Sequence, residues 1–326
     1  MRTINGLINK YTDRKLNILC CPTHERYQTG FQDIDAVFHM VQFDSCKEWI
    51  TEYAPVPKNH ILWHKDYMPK GIRFDCALSQ HKFGQFQFLQ QISSQLNIPL
   101  ISLEHTLPRP DWSEEDLKML KNMRGDVNVF ISEFSKGKWL FNDIPNSFIV
   151  HHMVDSDLFK PKTYRVNKVL SVVNDFKNRD IFCGYTIYQN IVELVEIDNF
   201  TLVGDNPGMS EKARSTEDLS NIYSSHEIFL NTSTVSPIPT SLLEAMSSGC
   251  AVVSTATCMI PEIIKNGVNG FLSNDEEELS EYIQLLLKDT KLARRIGDEA
   301  RKTIIKDFSK EKFNKTWSHI FRSVCK

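Results

Sequence analysis

At 326 residues the chain exceeds one ordinary α/β core and fits two domains of about 150 residues each. Its hydrophobic (41%) and charged (24%) fractions are those of a globular protein. With 38 basic against 41 acidic side chains the formal charge is −3, which excludes a broad cationic field able to gather nucleic acid or anionic lipid.

The opening MRTINGLINKYTDRK lacks an apolar h-region, and no run approaches the ~20 apolar residues of a membrane span. None of the eight cysteines forms a C-x-x-C pair, and several lie in apolar, strand-like runs where a reduced thiol behaves as a small hydrophobe. No metal site is expected. A cytoplasmic, reducing location fits this usage.

Leu16 to Cys21 reads as the first buried strand, followed by the loop PTHERYQTGFQD and an amphipathic stretch from Ile34. That loop has one glycine, Gly30, and not the G-x-G-x-x-G of a dinucleotide site. His24, Arg26 and Tyr27 could face an acceptor there, or form plain surface. Ile61 to His64 and Phe74 to Ser79 are the next strands. Phe83, Phe86, Leu89, Ile92 and Leu96 then recur at helical spacing, the pattern of a core stripe. Ile98 to Leu103 is a strand that ends in Glu104 and His105. Ser113 opens a helix with a capping-box pattern. Val127 to Ser132 is a strand, EFSKGKWLFNDI a helix, and Phe148 to His151 a strand. The aperiodic MVDSDLFKPKTYR has a linker signature, which puts a boundary near residue 163.

The second half opens on the strand Val169 to Val173 and the loop Asn174 to Asp180, which carries Lys177 and Arg179. A strand leading into a cationic loop and then a helix suits a diphosphate, since lysine offers a point charge and arginine a fork. A solvated charged turn would use the same residues. Phe200 to Val203 is a strand, and Gly204 in the turn after it allows close backbone approach. Helix Thr216 to Tyr223 leads to the most informative stretch, Glu227 to Leu272. There the strand Ile228 to Leu230 ends in Asn231, Thr232, Ser233 and Thr234, and Pro237 and Pro239 prevent it from continuing. A helix with Leu242, Leu243, Ala245 and Met246 on its buried side follows, with Thr240 or Ser241 as cap and Gly249 as its left-handed end. Ala251 to Ser254 completes a βαβ unit, whose helix N-terminus at the strands' carboxyl edge favours an anion. Glu244, one turn in and on the loop side, could accept from a sugar or ribose diol, or simply favour the helix dipole. Charged amphipathic helices, Glu276 to Leu287, Leu292 to Lys306 and a last one from Asp307, finish the chain.

SPIPTSLLEAMSSGCAVVSTATCMIPEIIKNGVNGFL resembles the nucleotide-sugar signature of glycosyltransferase family 4, which has two Rossmann-like, doubly wound α/β domains facing a central cleft (the GT-B fold) and retains anomeric configuration. Leu243 to Met246, Gly249, Val252, Val253, Pro261, Glu262 and Gly267 to Phe271 match. Ser236 does not: the family has a glutamate at that position, eight residues before Glu244, and it contacts the donor sugar. The resemblance implies domains at 1–163 and 164–308, with 309–326 as a helix that packs on the first. It further implies Glu244 on the ribose, His105 near the donor sugar, and a cationic pair at the diphosphate, although Lys177 and Arg179 stand two apart where the family has about five. Ser236, Pro237, Ile238, Pro239, Thr240 and Ser241 would line the donor loop, with Gly204 and Asn231 beside it.

The expected function is transfer of a sugar from a nucleotide diphosphate sugar, a UDP-sugar as first guess, to an acceptor on the first domain. Helix end and fixed cations would stabilise the leaving diphosphate without metal or other cofactor. A glycan, a lipid-linked acceptor or a modified DNA base are alternative acceptors, and the near-neutral charge counts against the last. A non-catalytic nucleotide-sugar-binding protein is the alternative that Ser236 motivates. An epimerase of similar fold would need acid/base pairs that are not found.

Overall fold

The computed structural model describes residues 14–43, 46–51, 54–64, 67, 70–195 and 199–325. The absence of an h-region was read on a segment that lies, up to residue 13, outside the described residues. The chain forms two compact units. One contains residues up to Ile131, Lys136–Val150 and Phe313 onward; the other contains Ser132–Ser135 and His151–Lys312.

In the first unit seven strands, β1 (Leu16–Cys20), β2 (Ala36–Val41), β3 (His60–Trp63), β4 (Cys76–Ser79), β5 (Leu100–Glu104), β6 (Val127–Phe130) and β7 (Ser147–Ile149), form one parallel sheet in the order β3-β2-β1-β4-β5-β6-β7. The connections carry α1 (Glu25–Gln28), α2 (Gln87–Leu96) and α3 (Glu114–Asn122), and α4 (Glu133–Lys138), of which only Lys136 onward counts with this unit, follows β6. The strands read as near-continuous apolar runs because helices cover both faces of a parallel sheet. Leu19, Ala77, Phe86, Leu89 and Leu100 make one core cluster.

The second unit holds β8 (Val166–Val172), β9 (Phe200–Val203), β10 (His226–Asn231), β11 (Ala251–Ser254) and β12 (Phe271–Leu272), again parallel, in the order β12-β11-β10-β8-β9. Its helices are α5 (Asp180–Cys183), α6 (Tyr185–Val195), α7 (Thr216–Ser224), α8 (Thr240–Ser247), α9 (Ile260–Ile263), α10 (Glu276–Lys288) and α11 (Thr290–Asp307). Val169, Ile228, Leu230, Ala251 and Val253 pack against Ile191, Leu279, Ile283, Ala293 and Ile296. The last helix, α12 (Lys310–Val324), sends Phe313, Trp317 and Phe321 against Phe31 of the first unit's own core.

In each sheet the strand order reverses beside the first strand: β1 is flanked by β2 and β4, and β8 by β9 and β10. The loops after β1 and β4, and those after β8 and β10, therefore leave in opposite directions and open a crevice at the carboxyl edge.

Several expectations shift. The stretch from Ile34 is the strand β2, and the loop before it contains α1 and a 3-10 turn over Thr29–Asp33. The expected long helix from Glu133 stops at Lys138, because Leu140 takes a left-handed φ of 63° that turns Trp139 and Phe141 into a core with Leu120 and Phe130. The helical spacing from Phe83 begins one turn late, since Phe83 and Gly84 have non-helical angles. The capping box at Ser113 forms with Asp116, as the pattern predicts.

Candidate functional site

The crevice of the second unit is built from the loops after β8 and β10, and they are laced to each other. The Thr232 hydroxyl donates to the Cys183 carbonyl at 2.9 Å, the Thr234 N–H donates to Phe182 O at 3.0 Å, and the Thr234 hydroxyl bonds Ile181 O. This contact needs Gly184. It joins α5 to α6 at a φ of 71°, and a Cβ there would overlap the Thr232 carbonyl oxygen. Sequence reasoning missed Gly184, although a glycine between two helical segments was a visible signal.

Lys177 and Arg179 sit in the first of these loops and are exposed. The loop itself is fixed from below. Asn206, buried in the turn after β9, accepts from the Phe176 N–H at 2.8 Å and donates to Val173 O at 2.8 Å. Phe176 packs under the loop between Tyr185 and Tyr188. Asp175 has a left-handed φ of 51°, and its carboxylate accepts from Asn178 at 2.6 Å. The two cations thus project from a backbone that its own domain holds in place. Gly204 is required by the protein rather than by a guest, since a Cβ there would strike Val173 O.

In the loop after β10, Asn231 is spent on structure: its amide donates to Ser254 Oγ at 2.8 Å and its Oδ1 accepts from Ser233 at 2.9 Å. Ser236 and Pro237 are half-buried, Ile238 is buried, and Pro237 O accepts from the Met259 N–H at 3.3 Å. Helix α8 begins at Thr240, with Pro239 at the N-cap position and no side-chain cap. Neither Thr240 nor Ser241 caps it; both lie in its first turn, because Pro239 has the extended ψ of 123° that a cap residue adopts. The first N–H groups of α8 therefore lack an intrahelical acceptor. Glu244 is 5% exposed and lies inside the continuous buried run Leu242 to Ser247, not on an open loop face. Gly249 takes the expected left-handed φ, 76°.

In the first unit, the ends of β1, β4 and β5 bring together His24, Tyr27, Gln80 and His105. His105 Nε2 lies 3.2 Å from Gln80 Oε1, and its ring meets those of Tyr27 at 4.3 Å and His24 at 4.6 Å, both edge-on. Tyr27 is 6% exposed and its hydroxyl accepts from Trp317 Nε1 at 3.1 Å, so it supports the cluster from within. Desolvation of the ring, and after it the charges of Lys47 and His81, hold His24 below the ordinary histidine pKa. Arg26 is exposed.

Asp-x-Asp spacings occur at Asp33 and Asp35 and at Asp155 and Asp157; Asp155 accepts from the N–H groups of Asp157 and Leu158 in its own turn. Among the described residues no three His, Cys, Asp or Glu side chains gather to hold a metal, and no helix is long and apolar enough to cross a membrane.

Residues 209–303 match the family model of glycosyl transferases group 1. A segment of 85 residues, 26% of the chain, is 34% identical to N-acetyl-alpha-D-glucosaminyl L-malate synthase of Bacillus anthracis, of which it covers 22%. A segment of 115 residues, 33% of the chain, is 30% identical to alpha-maltose-1-phosphate synthase of Mycobacterium tuberculosis, of which it covers 30%. The chain thus spans under a third of the length of these curated relatives. The whole fold resembles Anabaena HepE in complex with UDP and glucose (TM-score 0.75, 14% identity, 95% of this chain and 100% of that one) and sucrose-phosphate synthase of Thermosynechococcus elongatus (TM-score 0.74, 14% identity, 95% and 99%). The chain has the GT-B fold, and its segment 209–303 carries the group 1 glycosyltransferase signature.

Proposed function

We propose that the protein is a retaining glycosyltransferase that takes a sugar from a nucleotide diphosphate donor, with UDP the first nucleotide to test. The observation that carries this reading is the laced pair of loops at the second unit's switch point, which sets two exposed cations and an uncapped helix end at one sheet edge. As the glycosidic bond breaks, negative charge grows on the leaving diphosphate. Lys177 and Arg179 would meet its oxygens, with the N–H groups of Thr240 and Ser241 completing the cradle. Such groups cost no reorganisation when the charge appears, so no metal is required of the mechanism. Glu244, buried in the first turns of α8, would reach the ribose diol from within the helix, and the loop Ser236 to Pro239 would close around the nucleotide. Retention implies that the acceptor hydroxyl attacks from the face the diphosphate leaves, which helps to take its proton. His105 is assigned to the reacting end of the donor, with His24 and Arg26 toward the acceptor.

The test is thermal stability with UDP, GDP, ADP or CDP and no added metal, then consumption of the matching nucleotide sugars. A nucleoside diphosphate bound at 100 times its Kd should stabilise by about 2.7 kcal/mol. No shift with any of the four would sink the reading.

A second reading rests on Ser236, which cannot hold a sugar diol bidentately as a carboxylate does. It predicts a nucleotide-binding protein without transfer. If every nucleotide sugar binds no better than its bare nucleotide and none is consumed with a broad acceptor mixture, this reading replaces the first.

A further inference from the structure

We propose that Phe83 and Trp112 form a stacking platform in the first unit for a pyranose ring of the acceptor; the platform stands on its own geometry, and only its part in transfer rests on the glycosyltransferase reading. Phe83 recurs in the sequence at the spacing of a core stripe, yet it is 48% exposed. The turn after β4 puts it there: Phe83 has extended angles (φ −88°, ψ 123°) and Gly84 a φ of 77°, which keep the ring off the buried face of α2. His81 Nδ1 accepts from the Phe83 N–H at 3.1 Å, and the two rings lie 5.6 Å apart. Trp112, half-buried at the end of the loop after β5, meets Phe83 edge to face at 5.5 Å.

Both halves are braced from below. The buried Lys82, next to Phe83, faces the Trp139 ring at 5.5 Å, Trp139 Nε1 donates to Thr106 O at 2.9 Å, and Trp112 packs on Trp139 at 6.1 Å. Single exposed apolar side chains are ordinary; two adjoining aromatics, fixed by a turn that the helical pattern does not require and rimmed by polar groups, have the make-up of a binding surface. The rim selects the guest. Arg109 and Asp111, both exposed, form a two-pronged pair at 3.0 Å, and the Trp112 N–H donates to Arg109 O at 3.2 Å, so planar charged groups with spare donors and acceptors stand beside the aromatics. A sugar ring matches this, because the C–H bonds of one face meet the negative face of an aromatic ring while its hydroxyls bond the polar rim. A flat base does not, since the two rings are inclined at 67° and cannot sandwich one. An alkyl chain or apolar helix would set Arg109 and Asp111 against hydrocarbon. His81, whose charge acts on His24, joins the platform to the cluster of His24 and His105.

Saturation-transfer NMR on the full chain tests this, with the methyl glycosides of glucose, galactose, mannose and N-acetylglucosamine as probes and no nucleotide present. At least one should receive saturation, chiefly at the C–H protons of one ring face. Phe83→Ala should cut that signal about tenfold, the loss of one stacking contact, and Phe83→Tyr, which keeps an aromatic face, should retain it. If Phe83→Ala does not fold, Phe83→Leu, which keeps the apolar bulk and removes the π face, takes its place. Signal from none of the probes, or equal signal in Phe83→Ala, overturns the assignment. So does a change of oligomeric state in Phe83→Ala, seen by ultracentrifugation, which would make the patch a contact between copies of the chain. Where a nucleotide sugar is turned over onto a glycoside, Phe83→Ala should raise the acceptor KM about tenfold with the donor KM within about twofold. Absence of turnover with every nucleotide sugar would sink the enzyme reading and leave the binding result standing.

Discussion

Lys82 Nζ lies 3.2 Å from Glu104 Oε1 in the interior of the first unit, with the lysine 1% and the glutamate 3% exposed. Lys82 also donates to Met123 O at 2.7 Å and faces the rings of Phe86, Trp139 and Phe141 at 5.3 to 5.7 Å. Burial pushes the Glu104 carboxyl above its usual range, and the ammonium opposes that push. The pair occupies the first turn after β4 and the last residue of β5, so it clamps the two segments that carry Gln80 and His105.

Removing one partner leaves the other buried and uncompensated. Lys82→Met should cost about 3 to 5 kcal/mol of unfolding free energy, and the double change Lys82→Met with Glu104→Leu should recover most of it. Urea unfolding measures both. A loss under about 1 kcal/mol for the single change would show that the charge is not confined.

His60 on β3 stacks on Phe38 at 4.6 Å, and its Nδ1 meets Asn59 Oδ1 at 2.8 Å. Burial pushes its pKa down to about 4. The fold therefore favours neutral His60, and the unfolded chain, with its pKa near 6.5, binds the proton first. Stability should fall as pH drops from about 6.5 through 4, by about 3 kcal/mol from this group. His60→Gln should flatten that slope in urea unfolding from pH 7 to pH 4.

Lys177→Ala and Arg179→Ala should each slow turnover by about 30- to 1000-fold, the loss of ~2 to 4 kcal/mol of transition-state stabilisation. Both side chains are exposed, so melting temperatures should stay within about two degrees of wild type. Wild-type rates in both variants would place the diphosphate elsewhere.

Gly184→Ala forces a Cβ onto the Thr232 carbonyl and a non-glycine residue into left-handed space. The angle alone costs about 1 to 2 kcal/mol, and the overlap adds to it by prising apart the loops after β8 and β10. Melting temperature should fall, and nucleotide affinity should fall further than in a variant of comparable stability loss in the first unit, such as Ile101→Ala. Unchanged nucleotide affinity would separate the loop contact from the site.

Ser236→Ala should cost no more than one neutral hydrogen bond, ~0.5 to 1.5 kcal/mol, in donor binding, provided turnover survives in the wild type. Isothermal titration with the active nucleotide sugar reads this.

The βαβ unit from Glu227 to Leu272 was legible in the sequence because each of its signals acts within a few residues. Pro237 and Pro239 stop a strand, Gly249 admits a left-handed φ, and Val252 and Val253 suit a buried strand, whatever surrounds them. The parallel sheets were legible for the same reason, in apolar runs between helical stretches. What only the tertiary structure decided is which ends meet. Strand order places the loop after β8 beside that after β10, and this makes Gly184 rather than Gly204 the glycine that joins the site's two loops. It also encloses groups that a sequence assigns to the surface: Tyr27 under His105, Glu244 within α8, and Lys82 against Glu104. Burial depends on elements that lie far apart in the chain, so local periodicity carries no record of it; a charged residue next to a turn reads as solvated until the strand that covers it is known.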